Sequence, residues 1–193
     1  MKSAYLILDM QNDLIHEDGP NGKTSLGAQV QERGIIANTQ RAIAKARAAS
    51  VPIVFVQVGF SADYRECPAT SPIFGAAKQY GLFNRAGRGF EIHPALAPAE
   101  NDTLITKHRV SPFYSTQLEA FLRANEIRRV YASGVSTTAV VQATIRDAHD
   151  RDFICTVIED GCAAATREEH DSSVMMLRKF ASVSSSEALV FSA

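Results

Sequence analysis

The stretch Ser133-Gly134-Val135-Ser136-Thr137-Thr138-Ala139-Val140-Val141-Gln142-Ala143-Thr144 decides how the rest of the chain is read. The apolar run Arg129-Val130-Tyr131-Ala132 before it has the character of a buried strand. After it, Val140, Ala143, Thr144 and Ala148 recur at helical spacing, so the segment is a strand, a glycine turn and a helix start. Open α/β sheets gather ligands at such places, where free N–H groups at a helix start favour an anion or a developing oxyanion. Ser136 and Thr137 have two readings at this stage. They either cap the helix or present the turn to a substrate.

Outward from this turn the same alternation repeats. Ala4–Leu8, Ile53–Val58, Thr103–Thr106, Ile127–Ala132 and Phe153–Ile158 are apolar runs suited to a parallel sheet covered on both faces. Between them lie helical patterns at 30–49, 115–125, 137–150 and 168–180, with a short edge strand at Ala181-Ser182-Val183. The expected fold is a three-layer α/β/α sandwich with a mostly parallel, doubly wound sheet, in one domain spanning 1–193. The amino-terminal apolar run is cut by Asp9 and reads as a strand, not a secretory leader.

Composition narrows the function classes. A net charge of -1 provides no basic field for nucleic acid. No apolar window approaches the roughly 20 residues that span a bilayer, so the expected protein is cytoplasmic, without membrane attachment. Cys67, Cys155 and Cys162 are odd in number and far apart, which fits neither a disulfide framework nor a CxxC site. The five histidines form no close ligand pair, so neither a metal nor another cofactor is expected.

Three polar residues sit where strands end. Asp9 is either a turn carboxylate or a half-buried acid with a raised pKa. Gln57 is either a strand-edge amide or one aimed at substrate. Lys107 is either a solvated rim cation or a buried partner for a carboxylate. Residues 60–98 are broken by prolines and glycines, the mark of a lid, binding loop or partner contact. They carry Arg65, Arg85 and Arg88, any of which could bind a substrate carboxylate.

Six pieces occur in order along the chain: Leu6-Ile7-Leu8-Asp9-Met10-Gln11-Asn12-Asp13, Ile105-Thr106-Lys107, Ser111-Pro112-Phe113-Tyr114-Ser115-Thr116, Gly134-Val135-Ser136-Thr137, Thr144-Ile145-Arg146-Asp147-Ala148 and Glu159-Asp160-Gly161-Cys162-Ala163-Ala164. Together they resemble the isochorismatase-like hydrolases, the cysteine hydrolase superfamily that includes nicotinamidases, carbamoylsarcosine amidohydrolase and isochorismatase. The resemblance implies a catalytic Asp9 and Lys107, and a cis peptide between Val135 and Ser136. It also implies a substrate or oxyanion pocket made by Gln57, Phe60, Val135, Ser136 and Thr137, and a homodimer or homotetramer. The amidase members place their nucleophilic cysteine six residues beyond the turn glycine; here that position is Val140. The chain is therefore similar to the branch without the thiol, which implies hydrolysis of a small carboxylated vinyl ether of the isochorismate type, with Asp9 as general acid. The alternatives are amide or ester hydrolysis by water directly, and a catalytically inactive binding or oligomer partner.

Overall fold

Residues 1–192 are described by a computed structural model. The apolar runs pair, all parallel, into a sheet built from β1 (Ser3–Leu8), β2 (Ile53–Val58), β3 (Thr103–Lys107), β4 (Arg129–Val135), β5 (Ile154–Ala163) and β6 (Ser182–Ser184). Their order across the sheet is β3-β2-β1-β4-β5-β6. The chain winds outward from β1 to β3, then returns to place β4 on the other side of β1. A crevice opens at that reversal, beyond the carboxyl ends of β1 and β4.

Period-two alternation along the central strands feeds two cores. The helices are α1 (Asn12–Ile15), α2 (Ser25–Glu32), α3 (Ile35–Ala48), α4 (Ala77–Tyr80), α5 (Leu118–Ala124), α6 (Gln142–His149) and α7 (Arg167–Leu177). Ala4, Leu6, Leu8, Val54, Val56, Val130 and Ala132 pack on one face with Leu118 and Leu122 of α5 and Ile145 and Ala148 of α6. Tyr5, Ile7, Ile53, Phe55 and Tyr131 pack on the other with Ile35, Ala42, Ile43 and Ala46 of α3. Each apolar side chain so buried contributes about 1.5–3 kcal/mol, which is why both faces must be covered. No helix among the described residues is long and apolar enough to cross a membrane.

Three boundaries differ from the sequence expectation. The single helix expected over 30–49 is two, because Gly34 adopts φ 60° and turns the chain between α2 and α3. The helix expected from 137 opens as a π-type turn, Thr137–Val141, before α6 begins. Strand β5 continues through Glu159-Asp160-Gly161 to Ala163, with a register shift against β4 between Ala132 and Gly134. Alternation of polarity hides such a strand end, since Glu159 and Asp160 read as turn residues while their side chains are held by neighbours.

Gly134 pairs with Leu8 in register, and its φ is +150°. A Cβ there would stand 2.2 Å from the Leu8 carbonyl oxygen. Gly134→Ala is therefore expected to lower stability by about 3 kcal/mol, from strained backbone and steric conflict together. Chemical denaturation of the variant measures it directly.

Candidate active site

The crevice is set by strand ends. Leu8 pairs with both Val56 and Gly134, and Val58 with Lys107, so Asp9, the β4 turn and Lys107 lie on one rim. Neighbouring strands are about 4.8 Å apart, so β3 lies roughly 10 Å from β1. A long lysine crosses that gap over β2. Lys107 Nζ lies 2.9 Å from Asp9 Oδ2, with both side chains almost completely buried. The ammonium also donates to the Arg109 carbonyl oxygen at 3.1 Å. Asp9 itself takes the left-handed conformation, φ 56°, which aspartate tolerates better than most residues.

The other carboxylate oxygen, Asp9 Oδ1, is buried without a hydrogen-bond partner. Burial pushes the Asp9 carboxyl above the ordinary carboxylate range, and the Lys107 ammonium only partly pulls it back. The arrangement is an acid that can keep its proton near a fixed cation.

Both groups face a cavity of about 260 Å3 lined by Asp9, Leu14, Asn21, Leu26, Val58, Ile73, Phe74, Leu82, Phe83, Lys107, Val110, Val135, Ser136, Ala139 and Val140. A larger groove of about 690 Å3 runs over Ile15, Ile36 and His93 but includes neither Asp9 nor Lys107. Val140 forms part of the smaller cavity's wall and is 2% exposed. The Val135–Ser136 peptide is cis. The Ser136 hydroxyl pairs with that of Thr138 at 3.1 Å, not with a basic group, so it lacks the activation a nucleophilic hydroxyl needs.

Of the residues the sequence singled out, Asp9, Lys107, Val135, Ser136 and Val140 meet at the cavity. Gln57, Phe60 and Thr137 do not line it. The Gln57 amide is buried and donates to the Phe90 carbonyl oxygen at 2.8 Å. Phe60 is fully buried in an aromatic group with Tyr64, Phe74 and His108, and it is Phe74 that reaches the cavity. Thr137 turns its hydroxyl away to His170 Nδ1 at 2.9 Å. Arg33 donates to His170 Nε2 at 2.9 Å and to Glu159 Oε2 at 3.1 Å, so this buried network braces the turn from behind.

Two of the loop arginines are occupied elsewhere: Arg65 pairs with Asp63 at 2.7 Å and Arg88 contacts His16 Nε2 at 3.0 Å. Arg85 is exposed and does not line the cavity. What the 60–98 segment supplies is hydrocarbon: Ile73, Phe74, Leu82 and Phe83. Sequence reasoning missed these residues, although the loop's irregularity marked the segment that carries them. The residues after Asp9 hold that segment in place. Gln11 donates to the carbonyl oxygens of Val58 and Phe90 at 2.9 and 2.8 Å. Asn12 donates to the Arg88 carbonyl oxygen at 2.9 Å, and Asp13 Oδ2 accepts from the Phe83 N–H at 2.6 Å. Among the described residues no cluster of three or more His, Cys, Asp or Glu side chains is arranged to hold a metal ion.

A family model described as the isochorismatase domain matches residues 3–188. The chain belongs to the isochorismatase family. It is an isochorismatase-family hydrolase, and its fold agrees with that of its relatives. A ureidoacrylate amidohydrolase, RutB of Acinetobacter baylyi, is 29% identical over 200 residues, covering 93% of this chain and 78% of the relative. The crystal structure of an isochorismatase family protein from Desulfovibrio vulgaris superposes with a TM-score of 0.86 at 25% identity, covering 97% of this chain and 95% of that one. N-carbamoylsarcosine amidase from Thermoplasma acidophilum superposes with a TM-score of 0.78 at 25% identity, covering 98% and 99%.

Proposed function

We propose that this isochorismatase-family hydrolase cleaves a small vinyl ether without forming a covalent enzyme intermediate, with Asp9 as general acid and Lys107 as its fixed cationic partner. The observation that carries this reading is Asp9 itself. One oxygen is held 2.9 Å from Lys107 while the other is buried and unpartnered, and the residue lines a cavity whose wall includes Val140 at the nucleophile position.

The chemistry balances without a thiol. The Asp9 carboxylic acid gives its proton to the terminal carbon of the enol ether, leaving an oxocarbenium ion and the Asp9 carboxylate. Water adds to the cationic carbon and returns a proton to Asp9. The hemiketal then collapses to a ketone and an alcohol, so one water is consumed and the acid is regenerated. Lys107 stabilises the carboxylate while it is charged, and its remaining N–H is available to a substrate oxygen.

The named relatives favour a second reading, amide hydrolysis by water directly, since two of them are an amidohydrolase and an amidase. Product analysis separates the two. Ketone release abolished in Asp9→Asn supports the first, ammonia release supports the second, and ligand binding without any product would overturn both.

The acid role has a definite pH sign. A raised pKa keeps Asp9 protonated above the ordinary carboxylate range, and the active form is lost as pH rises through that value. The rate constant kcat is expected to be highest on the acid side and to fall with rising pH. Stability follows the same sign. The folded chain holds a proton that the unfolded chain has already released, so Asp9's contribution is present at low pH and lost as pH rises through the folded value. A kcat profile that rises with pH across this range would reject the acid role.

A further inference from the structure

We propose that this cavity selects a substrate with an apolar, ring-sized body and no more than one negative charge; the proposal rests on the reading above only in taking the cavity as the substrate site. Its walls are hydrocarbon brought from four separate parts of the chain, chiefly Leu14, Leu26, Phe74, Leu82, Phe83 and Val110. Among the described lining residues the cation is Lys107 alone, and it is already 2.9 Å from Asp9. With Asp9 ionised, the pair carries no net charge. With Asp9 protonated, one positive charge remains. Neither state compensates two carboxylates.

Of the nearby cations, Arg65 is paired with Asp63, Arg88 with His16, and Arg109 donates to the carbonyl oxygens of Glu66 and His108, while Arg85 is exposed and outside the lining. The other polar lining side chains, Asn21 and Ser136, are uncharged and already hydrogen-bonded to the Asp13 carbonyl oxygen and the Thr138 hydroxyl, so a second carboxylate would lose its water without meeting a second cation, which is unfavourable. An uncharged ring, or one with a single carboxylate near Lys107, buries its body against the leucine and phenylalanine side chains instead. The volume of about 260 Å3 suits one ring with one hydrolysable substituent. The rule narrows the small carboxylated vinyl ether implied by the sequence resemblance to one with a single carboxylate, leaving enol-ether chemistry in place.

Calorimetric titration at neutral pH with benzamide, benzoate and isophthalate tests this, because the three share a ring and differ in charge. Benzamide and benzoate are expected to bind, and isophthalate to bind at least tenfold more weakly than benzoate. Ile73 lines the cavity and is 58% exposed, so Ile73→Arg adds a cation at the mouth without disturbing the core. That variant is expected to raise the ratio of isophthalate to benzamide affinity at least tenfold; Val110→Arg serves as an independent second variant. Isophthalate binding as tightly as benzoate to the wild type would overturn the proposal, as would no gain in either arginine variant with an unchanged melting temperature. Binding of none of the three would overturn the assignment of the cavity to ring substrates. The readout is affinity, so failure of the acid mechanism would leave these ratios intact. Failure of the charge rule would leave the effect of Asp9→Asn on turnover intact.

Discussion

Asp9→Asn lowers kcat by about 100- to 10,000-fold, the range that a positioned general acid contributes. The amide matches the carboxyl in shape but has no acidic proton to deliver to carbon. At a pH where Asp9 is ionised, the same change strands the Lys107 ammonium, which is 1% exposed. Removing one partner of a buried pair costs about 3–5 kcal/mol, because the other charge is left uncompensated. Lys107→Met strands Asp9 in the same way. The double variant Asp9→Asn/Lys107→Met leaves no lone charge and is expected to be more stable than the sum of the single effects predicts. Denaturant titration of all four proteins isolates this coupling, and turnover of the same set isolates catalysis. An Asp9→Asn protein that folds and retains wild-type kcat would remove the carboxyl from the mechanism.

Val140→Cys turns an apolar wall into a reactive one. Valine and cysteine are close in volume, so the stability change should stay below about 1.5 kcal/mol. The new thiol would share the cavity with Asp9, a carboxyl able to exchange a proton with it once ionised. Incubation with p-nitrophenyl acetate is expected to give a burst of p-nitrophenol and an acetylated enzyme by intact mass in the variant. The wild type provides the background. Its Cys155 and Cys162 are buried, with thiols pushed up to about 12, while half-buried Cys67 lies outside the cavity lining. An acyl adduct on Cys67 would therefore appear equally in both proteins, whereas one on residue 140 distinguishes them. A variant that folds but never acylates would show that residue 140 is out of reach of a bound carbonyl.

The arginines show how a sequence reading of the site can go wrong. A long irregular segment with Arg65, Arg85 and Arg88 suggests carboxylate recognition, because residue type and loop position are both visible in the chain. Direction is not. Asp63 lies two residues from Arg65 and captures it, and His16 captures Arg88. The segment's contribution to the cavity is instead Ile73, Phe74, Leu82 and Phe83, residues whose composition alone is indistinguishable from ordinary core. Gln57 erred for a related reason. A polar residue near a strand's end satisfies its amide wherever a buried carbonyl needs a donor, and here that is Phe90.

From the sequence by itself came the alternating apolar runs, and hence a parallel sheet covered on both faces, because burial of one residue in two or in 3.6 is a local property. It also carried the family resemblance, the placement of Asp9 and Lys107 at strand ends, and the absence of a thiol at position 140. Only the tertiary structure decided that β2 lies between β1 and β3, so that a lysine from one strand meets an aspartate from another 98 positions away by crossing a third. The apolar walls were settled there too. A cavity is enclosed by side chains from distant segments whose common surface exists only after the chain has closed around it.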